Sequence, residues 1–461
     1  MFSVTSLGFL PFMALFACLW YRVPQPSRWK LVLAANAVFC LSIDIGAFFA
    51  VALATAVVWQ AAQHAQPEQP SRRGWLALGL AAALLPLLVL KYSGMLVPGL
   101  RDLYKPFGLA YYSLQLAGYL LDVWHGRTAP TPSYARLWCY AGFFLSLTQG
   151  PFNRYNTLMP QLEAAPKTFE TQRLVSGLQR SAWGYFKKFA IADRAAIVVS
   201  AAFADPASFD RSQLIFATVM YSFQLYADFS GYTDIVLGMG EILGLPENFR
   251  QPFFSASVKE LWARWHISLS QWFRDYVYIP LGGNRKGIAR RDANLLLTFL
   301  VSGLWHGANW TFLVWGGLHG LCQVAEDHMP APLRKRKSLP LRIVGVPLTF
   351  AIFVTTFTIF RTSSLGNAAA YFAGILHNPG HEVFAQYWLL GLTSKLELLL
   401  LLLGIALLVL VDVLHECGLH LRAWVNAAPR PVRWAVYEFA IFAFLLMASF
   451  YSNTGFLYAR F

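Results

Sequence analysis

Residues 260–285 read ELWARWHISLSQWFRDYVYIPLGGNR, with three tryptophans, two tyrosines, one histidine and charges of both signs. On a helix, Trp262, Trp265, His266, Leu269, Phe273 and Tyr276 recur at spacings that share one face. Arg264, Ser268, Gln271 and Asp275 fall on the other face. The pattern predicts one amphipathic helix with His266 on its aromatic side. Two settings suit such a helix. It can lie at a membrane interface as part of an aromatic belt, the reading that periodicity alone prefers. It can also lie inside the fold and turn His266 toward another group across a cavity. The rest of the chain has to decide between them.

That surrounding chain is built for lipid. Hydrophobic residues make up 57% of the 461 and charged residues 13%, against about 25% charged in an average soluble domain. The net charge of +14 raises nucleic acid as a partner, but the placement of the charges excludes it. Arg72 and Arg73, Lys187 and Lys188, Arg285–Arg291 and Arg334–Lys337 all stand between apolar runs, as the positive-inside rule requires of cytoplasmic loops. Met1 leads straight into the first apolar run, so no cleavable signal is expected. The five cysteines include no CxxC pair, which implies neither a disulfide framework nor a thiolate metal site.

Apolar spans are predicted near residues 6–21, 31–45, 47–62, 75–90, 136–150, 212–227, 293–308, 311–325, 340–360, 394–414 and 434–452, with shorter candidates at 107–121 and 230–245. The fold class is therefore an all-α polytopic membrane protein with about 11 or more spans. Several runs fall short of the roughly 20 residues that a straight span needs, so broken or re-entrant helices are expected. No repeat or linker divides the chain, and residues 1–461 read as one membrane domain. Charge places Arg22–Lys30, Arg72–Arg73, Arg285–Arg291, Arg334–Lys337 and the arginines at 422, 430 and 433 in the cytoplasm. The basic-poor loop around His377–Gln386 and the C-terminus then face outward.

With 285–291 and 334–337 on one side, the segment between them must enter the membrane and return. A helical hairpin turning near Gly307–Asn309 fits. His306 lies 306 − 291 = 15 residues past Arg291, which at about 1.5 Å per residue is roughly 22 Å deep. A histidine at that depth marks a functional site, and its ordinary pKa near 6.5 suits proton acceptance. A buried histidine bonded to a neighbouring helix is the structural alternative. Gly303 and Gly307 beside it serve helix packing as readily as access.

Other candidates carry less. Asp228 and Asp234 stand six apart in QLYADFSGYTDIVLG (224–238). That is not a same-face spacing, and Gly231 is expected to interrupt the helix between them. Both can pair with basic residues, and Asp228 is a candidate substrate contact. Arg154, in LTQGPFNRYNTLMPQL (147–162), can anchor an interface or grip an anionic group. Trp265 and Trp305, the residues before the two histidines, are further candidate substrate contacts. No GxxxxGK[ST], GxSxG or HExxH occurs. His377 and His381 are spoiled as a metal pair by Pro379 and Gly380, and His415 with His420 makes a poor zinc site, so no metal is expected.

Taken together these segments resemble the membrane-bound O-acyltransferase (MBOAT) superfamily, in particular the bacterial branch that holds the alginate O-acetylation and teichoic-acid D-alanylation proteins. The matching pieces are FGLAYYSLQLAGYLLDVWHG (107–126), QGPFNRY (149–155), GYFKKFAIADR (184–194), QLYADFSGYTDIVLG (224–238), ENFRQPFFSASVKELWARWHISLSQWFRDYVYIPLGGNR (247–285), GLWHGANWTFLVWGGLHG (303–320) and GFLYARF (455–461). They follow the family's order and cover most of 107–325, a catalytic core; residues 326–461, the C-terminal spans, match mainly in hydropathy and in the tail.

The resemblance implies a multi-helix fold around a central catalytic chamber, in the cytoplasmic (inner) membrane of a bacterium. His306 corresponds to the superfamily's near-universal catalytic histidine, and His266 to a second, more variable polar position. The aromatic stretch then walls the chamber. No bound cofactor is implied. The donor is acetyl-CoA or another acyl thioester, presented as acyl-CoA or on an acyl-carrier protein from the cytoplasm. His306 takes the proton of an attacking hydroxyl. His266 orients the acceptor or donates to the oxyanion, with Asn309 a further donor candidate. The acceptor is an exported cell-surface polysaccharide or an extracytoplasmic acyltransferase partner. D-alanyl transfer from a carrier protein to an envelope polymer is the alternative. A transporter without chemistry is a third reading, opposed by the lack of an inverted repeat.

Overall fold

The computed structural model describes residues 4–6, 8–100, 103–164, 168–241, 252–331, 333, 338–380, 391, 392 and 394–449, and among these every regular element is helical. The basic run 334–337, residues 381–390 of the loop expected to face outward and the tail 455–461 lie outside the described residues. Contacts gather the chain into two compact units. The first comprises residues 1–178, 236–247 and 271–280; the second comprises 179–235, 248–270 and 281–461.

The first unit begins with α1 (Phe9–Arg22), α2 (Arg28–Ile43), α3 (Ile45–His64) and α4 (Arg72–Leu96), followed by α5 (Leu109–Trp124), α6 (Tyr134–Ala141) and α7 (Tyr155–Ala164). Helices α3, α4 and α5 pack on one another. The apolar run at 136–150 is helical only to Ala141 and continues as buried turns. A break at such depth leaves backbone groups without helical partners, and the buried Asn36 of α2 supplies them. Its Nδ2 donates to the Cys139 carbonyl at 2.9 Å, and its Oδ1 accepts from the Phe144 N–H at 3.0 Å.

Next come α8 (Thr171–Phe186), a π turn (Lys187–Ala192), α9 (Asp193–Ala204), α10 (Arg211–Glu241), α11 (Val258–Arg264) and α12 (Ile267–Phe273), the last followed by a π turn (Arg274–Tyr278). The chain closes with α13 (Ile288–His306), α14 (Trp310–His328), α15 (Leu339–Arg361), α16 (Leu365–His377), α17 (Lys395–Glu416), α18 (Leu421–Ala427) and α19 (Arg430–Met447). Helices α3, α4, α15 and α17 are long and apolar enough to cross a membrane.

Three local expectations are overturned. Gly231 does not interrupt a helix: α10 runs unbroken from Arg211 to Glu241, across the first apolar segment predicted there and into the second. The glycine instead allows close approach, since a Cβ on Gly231 would stand 2.9 Å from the Gly184 carbonyl. Lys187 and Lys188 are not loop charges. Both are buried, with Lys187 on Asp234 at 2.5 Å and Lys188 on Asp193 and Asp228 at 2.8 Å each. Arg180 also reaches Asp234, at 3.0 Å. The apolar flanks that made these lysines look topogenic are the walls that bury them, and carboxylates on α9 and α10 compensate the charge.

The stretch 260–285 is also not one helix. It breaks at His266, whose φ of 43° makes it the one non-glycine residue in the left-handed region among those described. The shared face predicted for Trp262 through Tyr276 is lost there, because one left-handed residue redirects everything after it.

Candidate active site

The site starts from the α13–α14 hairpin. It turns at 307–309, where the sequence placed the turn. The two antiparallel helices touch backbone to backbone: a Cβ on Gly303 would lie 2.3 Å from the Phe312 carbonyl, and one on Gly316 would lie 2.3 Å from that of Phe299. Only glycine fits at either position. The open end of the hairpin is tied by Asp292 to His328 at 2.7 Å and to Arg291 at 2.7 Å. The His328 hydrogen bond, and after it Arg291, hold the Asp292 carboxyl below its ordinary range.

His306 ends α13 and is buried. Aromatic rings enclose it: Trp305 at 4.9 Å between centroids, Phe360 at 5.1 Å, Trp315 at 5.2 Å and Phe312 at 6.4 Å.

His266 reaches the same aromatic cluster by another route. Glu326 of α14 accepts from the backbone N–H groups of Val258 and Lys259 at 2.8 and 3.0 Å, fixing the start of α11. Further along, the Trp262 indole N–H donates to His319 Nδ1 at 3.3 Å. The chain then turns at His266, whose carbonyl accepts from Leu269 and Ser270 at 3.1 Å each and so opens α12. The buried His266 ring stands edge-on to Phe229 at 4.6 Å and lies 6.4 Å from Trp305. Trp305 therefore neighbours both histidines, His266 at 6.4 Å and His306 at 4.9 Å. A non-glycine residue held at positive φ carries strain of the sort found at functional sites.

A third buried histidine, His319, was not singled out by the sequence reading. It lies one helical turn beyond Trp315 on α14, the i, i+4 spacing that could have flagged it. Its Nδ1 accepts from Trp262, and its Nε2 meets the Thr356 hydroxyl at 3.0 Å. Indole is only a donor, and the Thr356 hydroxyl donates to the Ile352 carbonyl at 2.7 Å. Nε2 must then carry the proton, so His319 is a neutral, fully engaged ring. It builds the site and does not exchange protons in it.

These elements, an antiparallel hairpin ending on a buried histidine and a strained second histidine across one indole, coincide with a family match. Residues 93–364 match the family model described as MBOAT, membrane-bound O-acyltransferase family. The chain belongs to that family. It is 34% identical over 395 residues to the "Probable alginate O-acetylase" of Azotobacter vinelandii, covering 81% of this chain and 77% of that one. It is 31% identical over 350 residues to a peptidoglycan O-acetyltransferase of Helicobacter pylori, covering 68% and 66%. To a teichoic acid D-alanyltransferase of Bacillus subtilis it is 28% identical over 335 residues, covering 67% and 84%. An MBOAT chain with such relatives is a membrane-bound O-acyltransferase, a transferase and not a transporter.

The remaining candidates are held by other groups. In the first unit, Arg154 is clamped by Asp275, lies 3.9 Å from Asp122 and faces the Tyr276 ring at 5.4 Å. Asp122 also accepts from the Tyr276 hydroxyl at 2.8 Å. In the second unit, Asp228 is committed to Lys188. Asn309 caps α14, accepting from the Thr311 N–H at 3.2 Å and donating to the Ser363 carbonyl at 2.7 Å. Trp265 packs against the stacked rings of Phe353, at 5.2 Å, and Phe357, at 5.9 Å. Of the sequence-derived set, the structure gathers His266, Trp305 and His306.

Proposed function

We propose that this MBOAT enzyme transfers an acyl group, acetyl in the simplest case, from a cytoplasmic thioester to hydroxyls of an exported cell-envelope polysaccharide, or to an extracytoplasmic acyltransferase that completes the transfer. The observation that carries the reading is the pair of histidines that both neighbour Trp305. The greater identity to alginate O-acetylases than to D-alanyltransferases favours acetyl over D-alanyl. The setting is a bacterial cytoplasmic membrane crossed about 11 or more times, with a chamber around the two histidines. The acyl thioester, acetyl-CoA or a loaded carrier protein, enters from the side of Arg285–Arg291. Residues 1–461 act as one membrane domain.

In this chamber His306 takes the proton from the acceptor hydroxyl as its oxygen attacks the acyl carbon, and His266 orients that hydroxyl. Water-poor aromatic walls strengthen both interactions, because little solvent competes. Trp265 and Trp305 wall the path of the substrate.

The test is His306→Ala in the native host. A positioned base is worth roughly 10²–10⁴-fold, so envelope ester content should fall to background while the protein level in the membrane holds. Normal ester content at that level would remove His306 from the mechanism.

A further inference from the structure

Trp315 sits on α14 with none of its surface exposed, and its indole Nε1–H has no acceptor among the described residues. A buried donor left unmade is destabilising, and each one in a native fold calls for an explanation. The neighbouring indole, Trp262, has its acceptor in His319. The rings around Trp315 are Phe360 at 5.2 Å, Phe357 at 5.3 Å, Trp262 at 5.6 Å, His319 at 5.1 Å and His306 at 5.2 Å, the last edge-on at 88°. Phenylalanine offers no acceptor atom, and both nitrogens of His319 are already used. Side chains on a helix lean toward its N-terminus. The N-terminus of α14 is the turn that follows His306. The indole therefore leans toward the reacting end of the hairpin. Asn309, another donor near that turn, is taken by Ser363.

We infer that the Trp315 Nε1–H is the donor that holds the acyl carbonyl oxygen of the thioester and stabilises it as it becomes an oxyanion. This rests on the acyl-transfer reading above and assigns a step within it. The acceptor oxygen bonds to the acyl carbon while its proton passes to His306. The carbonyl electron pair moves onto the oxygen that faces Trp315. When the intermediate collapses, that pair returns, the carbon–sulfur bond breaks, and the thiolate leaves with the proton from His306. The products are an ester and a free thiol. A preorganised neutral donor in an aromatic enclosure suits a charge that exists only between the two bond changes.

Replacing the Trp315 indole with the isosteric benzothienyl side chain, in which sulfur stands where the N–H was, isolates the donor from the packing. Trp315→Phe serves as a second variant. Each is expressed in the native host from which the gene has been deleted. The initial rate of envelope ester formation is read as hydroxylamine-released acyl hydroxamate, alongside the amount and melting temperature of the purified protein. The isostere should lower the rate by about 10²–10³-fold with wild-type stability, and Trp315→Phe should do the same. A wild-type rate in the isostere overturns the assignment alone, leaving Trp315 as packing. A loss of stability in the isostere also overturns it, because the N–H would then be serving the fold. If the wild-type gene itself restores no ester, the acyl-transfer reading falls and this assignment with it.

Discussion

The second unit buries two kinds of ionisable cluster, and they are built on opposite plans. Around the π turn that follows α8, buried charges meet opposite charges: Lys187 with Asp234, Arg180 with the same carboxylate, and Lys188 between Asp193 and Asp228. Along α11 and the α13–α14 hairpin, histidines alternate with aromatic rings, from His266 past Trp305 to His306, then past Trp315 to His319. A saturated ion cluster has no capacity left for a substrate, and removing one member leaves a buried charge uncompensated. Aromatic rings carry no charge to pair with a histidine, so they shape a space around it. An ionisable residue inside a membrane protein is thus a functional candidate only after its partners have been counted.

The largest effect expected from this contrast is the loss of transfer in His306→Ala without loss of protein. Lys188→Met should do the reverse. Stranding Asp193 and Asp228 should cost about 3–5 kcal/mol, so the protein level and melting temperature fall while activity per folded molecule is kept. A stable but inactive Lys188→Met would erase the distinction between the clusters.

His266 separates orientation from packing. His266→Asn keeps a hydrogen-bonding group and should retain much of the rate, whereas His266→Leu should lose roughly 10²-fold or more, the scale of one positioned polar group. Matched membrane levels and initial rates decide it; Leu at or above Asn would make His266 a belt residue. Gly303→Ala probes the frame beneath both histidines. Its Cβ would press on the Phe312 carbonyl, and overpacking of this sort costs about 1–3 kcal/mol. A lower melting temperature should therefore accompany reduced transfer. The smallest effect is expected of Asn309→Ala, which removes a helix cap worth about 0.5–2 kcal/mol and should leave the rate per folded protein unchanged. A rate collapse there would return Asn309 to the chemistry.

Composition and pattern in the sequence were enough for the membrane setting, the all-helical class, and the hairpin with its turn at 307–309. These follow from local hydropathy and charge, which act residue by residue along a helix. Both histidines also follow a tryptophan, at 265–266 and 305–306, a cue that periodicity alone passes over.

Other features could not be read that way. The continuity of α10 through Gly231, the ion pairing of Lys187 and Lys188, the left-handed turn at His266, and the commitment of Asp228, Asn309 and Arg154 to neighbours depend on residues distant in the chain. So does the engaged state of His319, which Trp262 and Thr356 fix from either side. A span's hydrophobicity is the property of its own residues, but whether a buried polar atom is satisfied is a property of what packs against it. That is why the sequence singled out His306 as a candidate, while only the tertiary structure showed which other ionisable groups hold the fold.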